Sequence, residues 1–201
     1  MKTVITANEA RLKSLCMELG RKVVISNLKP DIIIGIKSGG AVVSNYICQL
    51  PEFIECVHEV VKLQRASTLR KEKMNIKKFI SKMPYVVTNF LRLIESGILE
   101  YKHNRMNDAD SDVRIEISPE ILRKIKMASH LLIIDDAVDS GRTMKTIKDY
   151  IQSLNRNLNI KTAALTVTFQ KPLIIPDFYL FKNTLIRFPW SFDYAKEIKH
   201  G

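Results

Sequence analysis

Four aliphatic residues in a row, Leu131-Leu132-Ile133-Ile134, lead directly into two acids, Asp135 and Asp136. A strand with one face in water alternates apolar and polar residues. An unbroken apolar run therefore belongs to a strand covered on both faces, as in the middle of a parallel sheet. Asp31 to Ile36, with the run Ile-Ile-Ile-Gly-Ile, and Ile160 to Thr168 repeat the pattern. Parallel strands need crossovers, and helical periodicity supplies them at residues 7 to 27, from Gly40 to about Leu50, and at residues 142 to 154. In the first of these, Asn8 is placed to cap and Leu12, Leu15, Cys16, Leu19 and Val23 share a face. The expected architecture is a three-layer α/β domain, one parallel sheet with helices on both faces. A chain of 201 residues suffices for one such domain spanning 1–201.

Two turns carry chemistry. After Asp136 the chain reads Ala137, Val138, Asp139, Ser140, Gly141, Arg142 and Thr143 before a helix begins. Backbone amides, hydroxyls and a helix N-terminus converge there, a setting for an anion. Lys37, Ser38, Gly39 and Gly40 repeat the design after another strand, since only glycine lets backbone amides come this close to a ligand. Four of the seven glycines, at 35, 39, 40 and 141, fall in these two turns or, for Gly35, in the strand that leads into one of them. Right-handed crossovers would bring both to the carboxyl edge of the sheet, where open α/β sheets bind ligands.

The segment Ile133 through Thr143 resembles the ribose phosphate binding motif of type I phosphoribosyltransferases, and the pattern is closest to their xanthine-guanine and hypoxanthine members. The resemblance implies transfer of a 5-phosphoribosyl group from 5-phosphoribosyl 1-pyrophosphate (PRPP) to a nucleobase, a purine by pattern, with release of pyrophosphate. Asp135 and Asp136 would take the ribose 2- and 3-hydroxyls, and Asp139, Ser140, Gly141, Arg142 and Thr143 the 5-phosphate. Asp139 would also be the catalytic acid that moves the proton of the base. Lys37, Ser38, Gly39 and Gly40 would grip pyrophosphate, although relatives place a basic residue directly before the two glycines and here Ser38 intervenes. Magnesium (Mg2+) would ride on the pyrophosphate and ribose hydroxyls, with Asp135 and Asp136 reaching it indirectly. For the base, the resemblance assigns Lys171, in a Lys-Pro pair after a strand, with Leu185, Ile186 and Trp190 in the closing segment. Leu185 replaces a stacking aromatic, Arg187 an acid, and Ser191 stands where an acid would follow the Trp. A homodimer is the family's common arrangement.

The stretch from about 65 to 128 matches no motif of that family and is expected to be a mainly helical, basic insertion. From Arg65 to Lys82 seven basic residues face one acid, and apolar positions 76, 80, 83, 87, 90, 94 and 98 mark an amphipathic helix interrupted near Pro84. It could serve as a hood over the site, a dimerisation surface or a platform for nucleic acid. Residues 101 to 115 are polar and without period, which predicts a mobile loop, and Ser118-Pro119-Glu120 opens a short helix. A net charge of +11 suits polyanions without choosing among them. The alternative to an enzyme is therefore a non-catalytic regulator that senses PRPP or nucleotide and binds nucleic acid or a protein partner. Cys16, Cys48 and Cys56 lack paired spacing and are expected to be buried free thiols, and His58 a satisfied sheet residue. No apolar run approaches a membrane span and no secretory signal is visible, so the expected location is the cytoplasm.

Overall fold

The computed structural model of the protein describes residues 2–65, 84–105 and 113–194. In chain order these form β1 (Thr3–Thr6), α1 (Glu9–Ile25), β2 (Ile32–Ile36), α2 (Gly39–Ile47), a 3-10 turn (Pro51–Phe53) and β3 (Val57–Arg65). Then come α3 (Tyr85–Arg105), β4 (Val113–Glu116), α4 (Pro119–Met127), β5 (His130–Val138), α5 (Arg142–Leu154), β6 (Asn159–Val167), β7 (Phe178–Lys182) and β8 (Thr184–Arg187). The caps act as expected: the Asn8 side chain accepts from the Arg11 amide at 2.9 Å, and Ser118 Oγ from the Ile121 amide at 3.3 Å.

Six strands make one sheet in the order β4-β3-β2-β5-β6-β7, parallel throughout except for β4 at the edge. β1 and β8 pair in parallel as a separate two-stranded sheet. Side chains alternate across the central strands as continuous burial requires. Ile33, Leu132, Ile134, Ala163 and Leu165 pack under α1 and α2, while Ile32, Ile34, Ile36, Leu131 and Ile133 pack with Ile121 and Ile125 of α4 and Met144, Ile147 and Ile151 of α5. Each such Ile or Leu contributes roughly 1.5–3 kcal/mol by leaving water. The chain runs from β2 outward to β3 and only later returns to β5 on the other side of β2. The strand order thus reverses between β2 and β5, and a crevice opens at their carboxyl ends.

Several expectations need correction. The sheet is mixed, because Val113 to Glu116 pairs antiparallel with β3, with Leu63 opposite Ile115. Tyr101 to Arg105 continue α3, so the expected loop over 101–115 is helix at one end and strand at the other, and 106–112 lie outside the described residues. His58 does lie in the sheet, within β3. The helix after the glycine turn stops at Ile47. Val113 to Met127 belong to the main sheet and its core, which leaves α3 as the described part of the unmatched stretch that stands apart. The basic run over 65–82 lies outside the described residues from 66 onward.

In α3 the apolar stripe faces outward: Val87, Phe90, Ile94 and Ile98 are exposed, whereas Thr88 and Ser96 are buried. Polar contacts dock the inner face, with Lys2 Nζ donating to Ser96 Oγ at 2.8 Å and Arg187 to Thr88 Oγ1 at 2.9 Å. Cys16 is buried, its thiol pushed up to about 12 by burial, while Cys48 and Cys56 are only half-buried; all three are free. His58 Nε2 lies 2.8 Å from the buried Ser44 Oγ and ties β3 to α2. No described helix is long and apolar enough to cross a membrane.

Candidate active site

The reversal between β2 and β5 sets the two turns against each other. A Cβ on Gly39 would stand 2.0 Å from Asp136 Oδ2, and one on Gly40 would stand 2.5 Å from the Ile134 carbonyl and 2.8 Å from Asp135 Cα. Real Cβ atoms tolerate neither, so the glycines let the start of α2 close onto the acid pair. Lys37 and Ser38, joined by a cis peptide, are exposed at the sheet edge, and the Lys37 amide donates to the Val61 carbonyl at 2.9 Å.

Asp135 and Asp136 lie within β5, one residue pair before its end, and are half-buried. Burial first, and then the charge of Asp136, raises Asp135 well above the usual carboxylate range. Burial raises Asp136 as well, against hydrogen bonds from Asp135, the Ala137 amide and the Trp190 side chain. Two acids held this way favour partners that bring hydrogen-bond donors or positive charge. The turn that follows closes with Gly141 at φ +75°, where a side chain would be strained, and then α5 begins. Leu173 donates its amide to the Ser140 carbonyl at 2.8 Å and steadies the turn from outside. Asp135 and Ala137 through Met144 enclose a pocket of about 190 Å³, which contains Asp139, Ser140, Gly141, Arg142 and Thr143.

A larger cavity of about 510 Å³ opens beyond Asp136 and Asp139. Thr168, at the end of β6, donates its hydroxyl to Asp139 Oδ1. Leu185, Ile186 and Trp190 line this cavity together, and Trp190 stacks on Phe188 with ring centroids 4.8 Å apart and planes 4° from parallel. The opposite wall is α3, through Thr88, Leu91, Arg92 and Glu95. Lys171 sits elsewhere, in a cavity of about 580 Å³ with Glu100, Tyr101, Asn104 and Gln170.

Arg187 does not face the cavity. It is 1% exposed and holds the wall from behind, donating to Asp193 at 2.9 Å, Thr6 at 2.8 Å, Thr88 at 2.9 Å and Asn89 at 2.7 Å, with Tyr85 beneath its guanidinium. Arg92 donates twice to the same Asp193, at 2.7 and 2.5 Å. Burial pulls Asp193 upward, and the hydrogen bonds and charges of the two arginines outweigh it, so its carboxyl stands below its ordinary value. Sequence reading missed Thr88, Arg92, Glu95, Thr168 and Asp193. The available signal was the polar row Thr88, Arg92, Ser96 at four-residue spacing inside an apolar helix.

A family model described as phosphoribosyl transferase domain matches residues 5–196. The chain belongs to that family. No curated protein sequence matches it. Among solved structures, the chain is similar to a purine phosphoribosyltransferase from Pyrococcus horikoshii, with 17% identity, 94% of each chain covered and a TM-score of 0.60. A hypothetical protein from Neisseria gonorrhoeae with bound ppGpp aligns over 98% of this chain and 93% of its own, with 15% identity and a TM-score of 0.62. The xanthine-guanine-hypoxanthine phosphoribosyltransferase of Helicobacter pylori aligns over 94% and 93%, with 12% identity and a TM-score of 0.57. At these identities the structures share the fold, and both the family and the three-layer architecture expected from the strand and turn pattern are borne out. As a member of the phosphoribosyl transferase family, the protein is a transferase.

Proposed function

We propose that this phosphoribosyltransferase moves the 5-phosphoribosyl group of PRPP to a purine base. The observation that carries this reading is the Asp135–Asp136 pair, raised by burial and backed by the glycine turn, at the mouth of a cavity large enough for a base. The ribose hydroxyls would donate to the two carboxylates, and the phosphate would sit in the small pocket from Asp139 to Thr143 at the start of α5. Pyrophosphate would lie over Lys37 and the amides at the start of α2. The bond from the anomeric carbon to pyrophosphate breaks with its electron pair leaving on the phosphate, and a ring nitrogen of the base forms the new bond. Asp139, oriented by Thr168, takes the proton that this nitrogen loses. The acid pair stabilises the positive charge that develops on the sugar.

Magnesium fits these residues as an ion carried by the substrate. The described residues hold no group of three or more His, Cys, Asp or Glu side chains that could cage an ion, and magnesium characteristically binds through one or two carboxylates plus substrate phosphates and water. Bound on PRPP beside Asp135 and Asp136, it would neutralise charge on the leaving group.

Pyrophosphate release, measured with PRPP and guanine, hypoxanthine, xanthine or adenine in turn, tests the reading. At least one base is expected to turn over, and Asp139→Asn to slow it by about 10²-fold. No turnover with any base, together with steeply salt-dependent binding to RNA or DNA, would assign the chain to a nucleic-acid-binding regulator instead. That reading draws on the net charge of +11.

A further inference from the structure

Among the described residues, the cavity beyond Asp139 carries charge of one sign toward its occupant. Thr88, Leu91, Arg92 and Glu95 follow one another at helical spacing, so a single stripe of α3 forms the wall. The nearby cations are engaged. Arg92 gives two nitrogens to Asp193, Arg187 is buried among its own acceptors, and Lys171 faces a different cavity. Glu95 differs. It is exposed, lines both the 510 Å³ cavity and an adjoining one of about 220 Å³ beside Asp139 and Leu185, and its carboxylate has no hydrogen-bond or ion-pair partner among the described residues.

An ionised carboxylate only accepts hydrogen bonds, and its two oxygens match two neighbouring N–H groups. Resting on the base-transfer reading above, we infer that Glu95 is the specificity-determining residue for the base. It takes the edge that presents a ring N–H beside an exocyclic amino group, as guanine does. Xanthine puts a carbonyl where that amino group would be, setting an acceptor against an acceptor. Hypoxanthine keeps the ring N–H and lacks the amino group, so it ranks between them. Sites built to hydrogen-bond a group reject analogues that lack it far more strongly than apolar pockets reject a missing methylene. Trp190 on its Phe188 support would hold the ring plane without choosing among purines.

The test compares kcat/KM for guanine, hypoxanthine and xanthine in the wild type and in Glu95→Gln, with the KM for PRPP measured alongside. Glutamine keeps the shape but offers one acceptor and one donor. The wild type is expected to prefer guanine over xanthine by about 10²-fold, and Glu95→Gln to narrow that ratio by at least about tenfold with the KM for PRPP unchanged. A wild type that prefers xanthine, or a ratio that Glu95→Gln leaves in place, overturns the inference while base transfer stands. PRPP binding by calorimetry with no turnover on any base overturns the base-transfer reading and this inference with it.

Discussion

The half of the site proposed for the sugar phosphate and the half proposed for the base are built in opposite ways. The first consists of two contiguous stretches, 37–40 and 135–143, on neighbouring strands, and backbone packing sets its geometry: Gly39 and Gly40 close against Asp136, Asp135 and Ile134. The second is assembled from α3, the end of β6, β8 and residues 188–193, held together by side chains around Arg187 and Asp193. A site made by backbone tolerates almost no change at its contact points and writes them as glycines. A site made by side chains can be rewritten residue by residue, which is how Leu185, Arg187 and Ser191 can depart from the pattern of relatives while the fold is kept.

Four measurements test this contrast. The largest effect is expected from Gly39→Ala, whose methyl would meet the Asp136 carboxylate at 2.0 Å. Displacing that acid should lower kcat/KM for PRPP by about 10²-fold or more. A wild-type KM for PRPP in this variant would mean that the turn is not built by close backbone approach.

Arg187→Met comes next. It removes a buried cation with five contacts, counting its place over Tyr85, and leaves Thr88, Asn89 and half of Asp193 without their donor. Urea unfolding should show a loss of about 3 kcal/mol. Steady-state kinetics should show the KM for the base rising more than that for PRPP. Equal rises would erase the division between the halves.

The halves also oppose each other in pH. The raised values of Asp135 and Asp136 mean that their stabilising contribution is present below the ordinary carboxylate value of about 4 and is lost as pH climbs through the raised ones. Asp193, lowered, contributes above that ordinary value and loses its contribution as pH falls. Melting curves of the ligand-free protein should therefore show Asp136→Asn gaining on the wild type as pH rises from 4 toward neutrality, while the deficit of Asp193→Asn stays nearly level over that range and shrinks as pH falls below about 4. Parallel trends would contradict the assignment. The smallest effect belongs to Lys171→Ala, which should change kcat/KM for the base by less than about twofold, because its cavity is separate. A tenfold loss would move that lysine into the base half.

Legibility in the sequence divides along the same line. The strands β2, β5 and β6 were visible because burial on both faces leaves unbroken aliphatic runs, and the caps at Asn8 and Ser118 because capping is local chemistry. Both turns were visible as glycines beside acids and hydroxyls. Leu185, Ile186 and Trp190 could be gathered only by resemblance, and they share one cavity with the two acids Asp136 and Asp139. The edge strand β4 was hidden, since four residues that alternate apolar and charged types inside a polar stretch are indistinguishable from a loop until Leu63 pairs with Ile115. α3 misled in a different way. Its apolar period gave a true helix, but the buried side is the polar one, because the partners that make it so, Lys2 and Arg187, lie 94 and 99 residues away in sequence from the groups they bind.

Asp136 belongs to both halves: it packs on Gly39, lines the larger cavity and receives the Trp190 side chain. Under the proposed base transfer, that shared carboxylate would make the two substrates thermodynamically reciprocal. Whatever factor PRPP contributes to the affinity for the base by acting on this oxygen pair, the base must contribute to the affinity for PRPP, so each ligand can be read in the binding isotherm of the other.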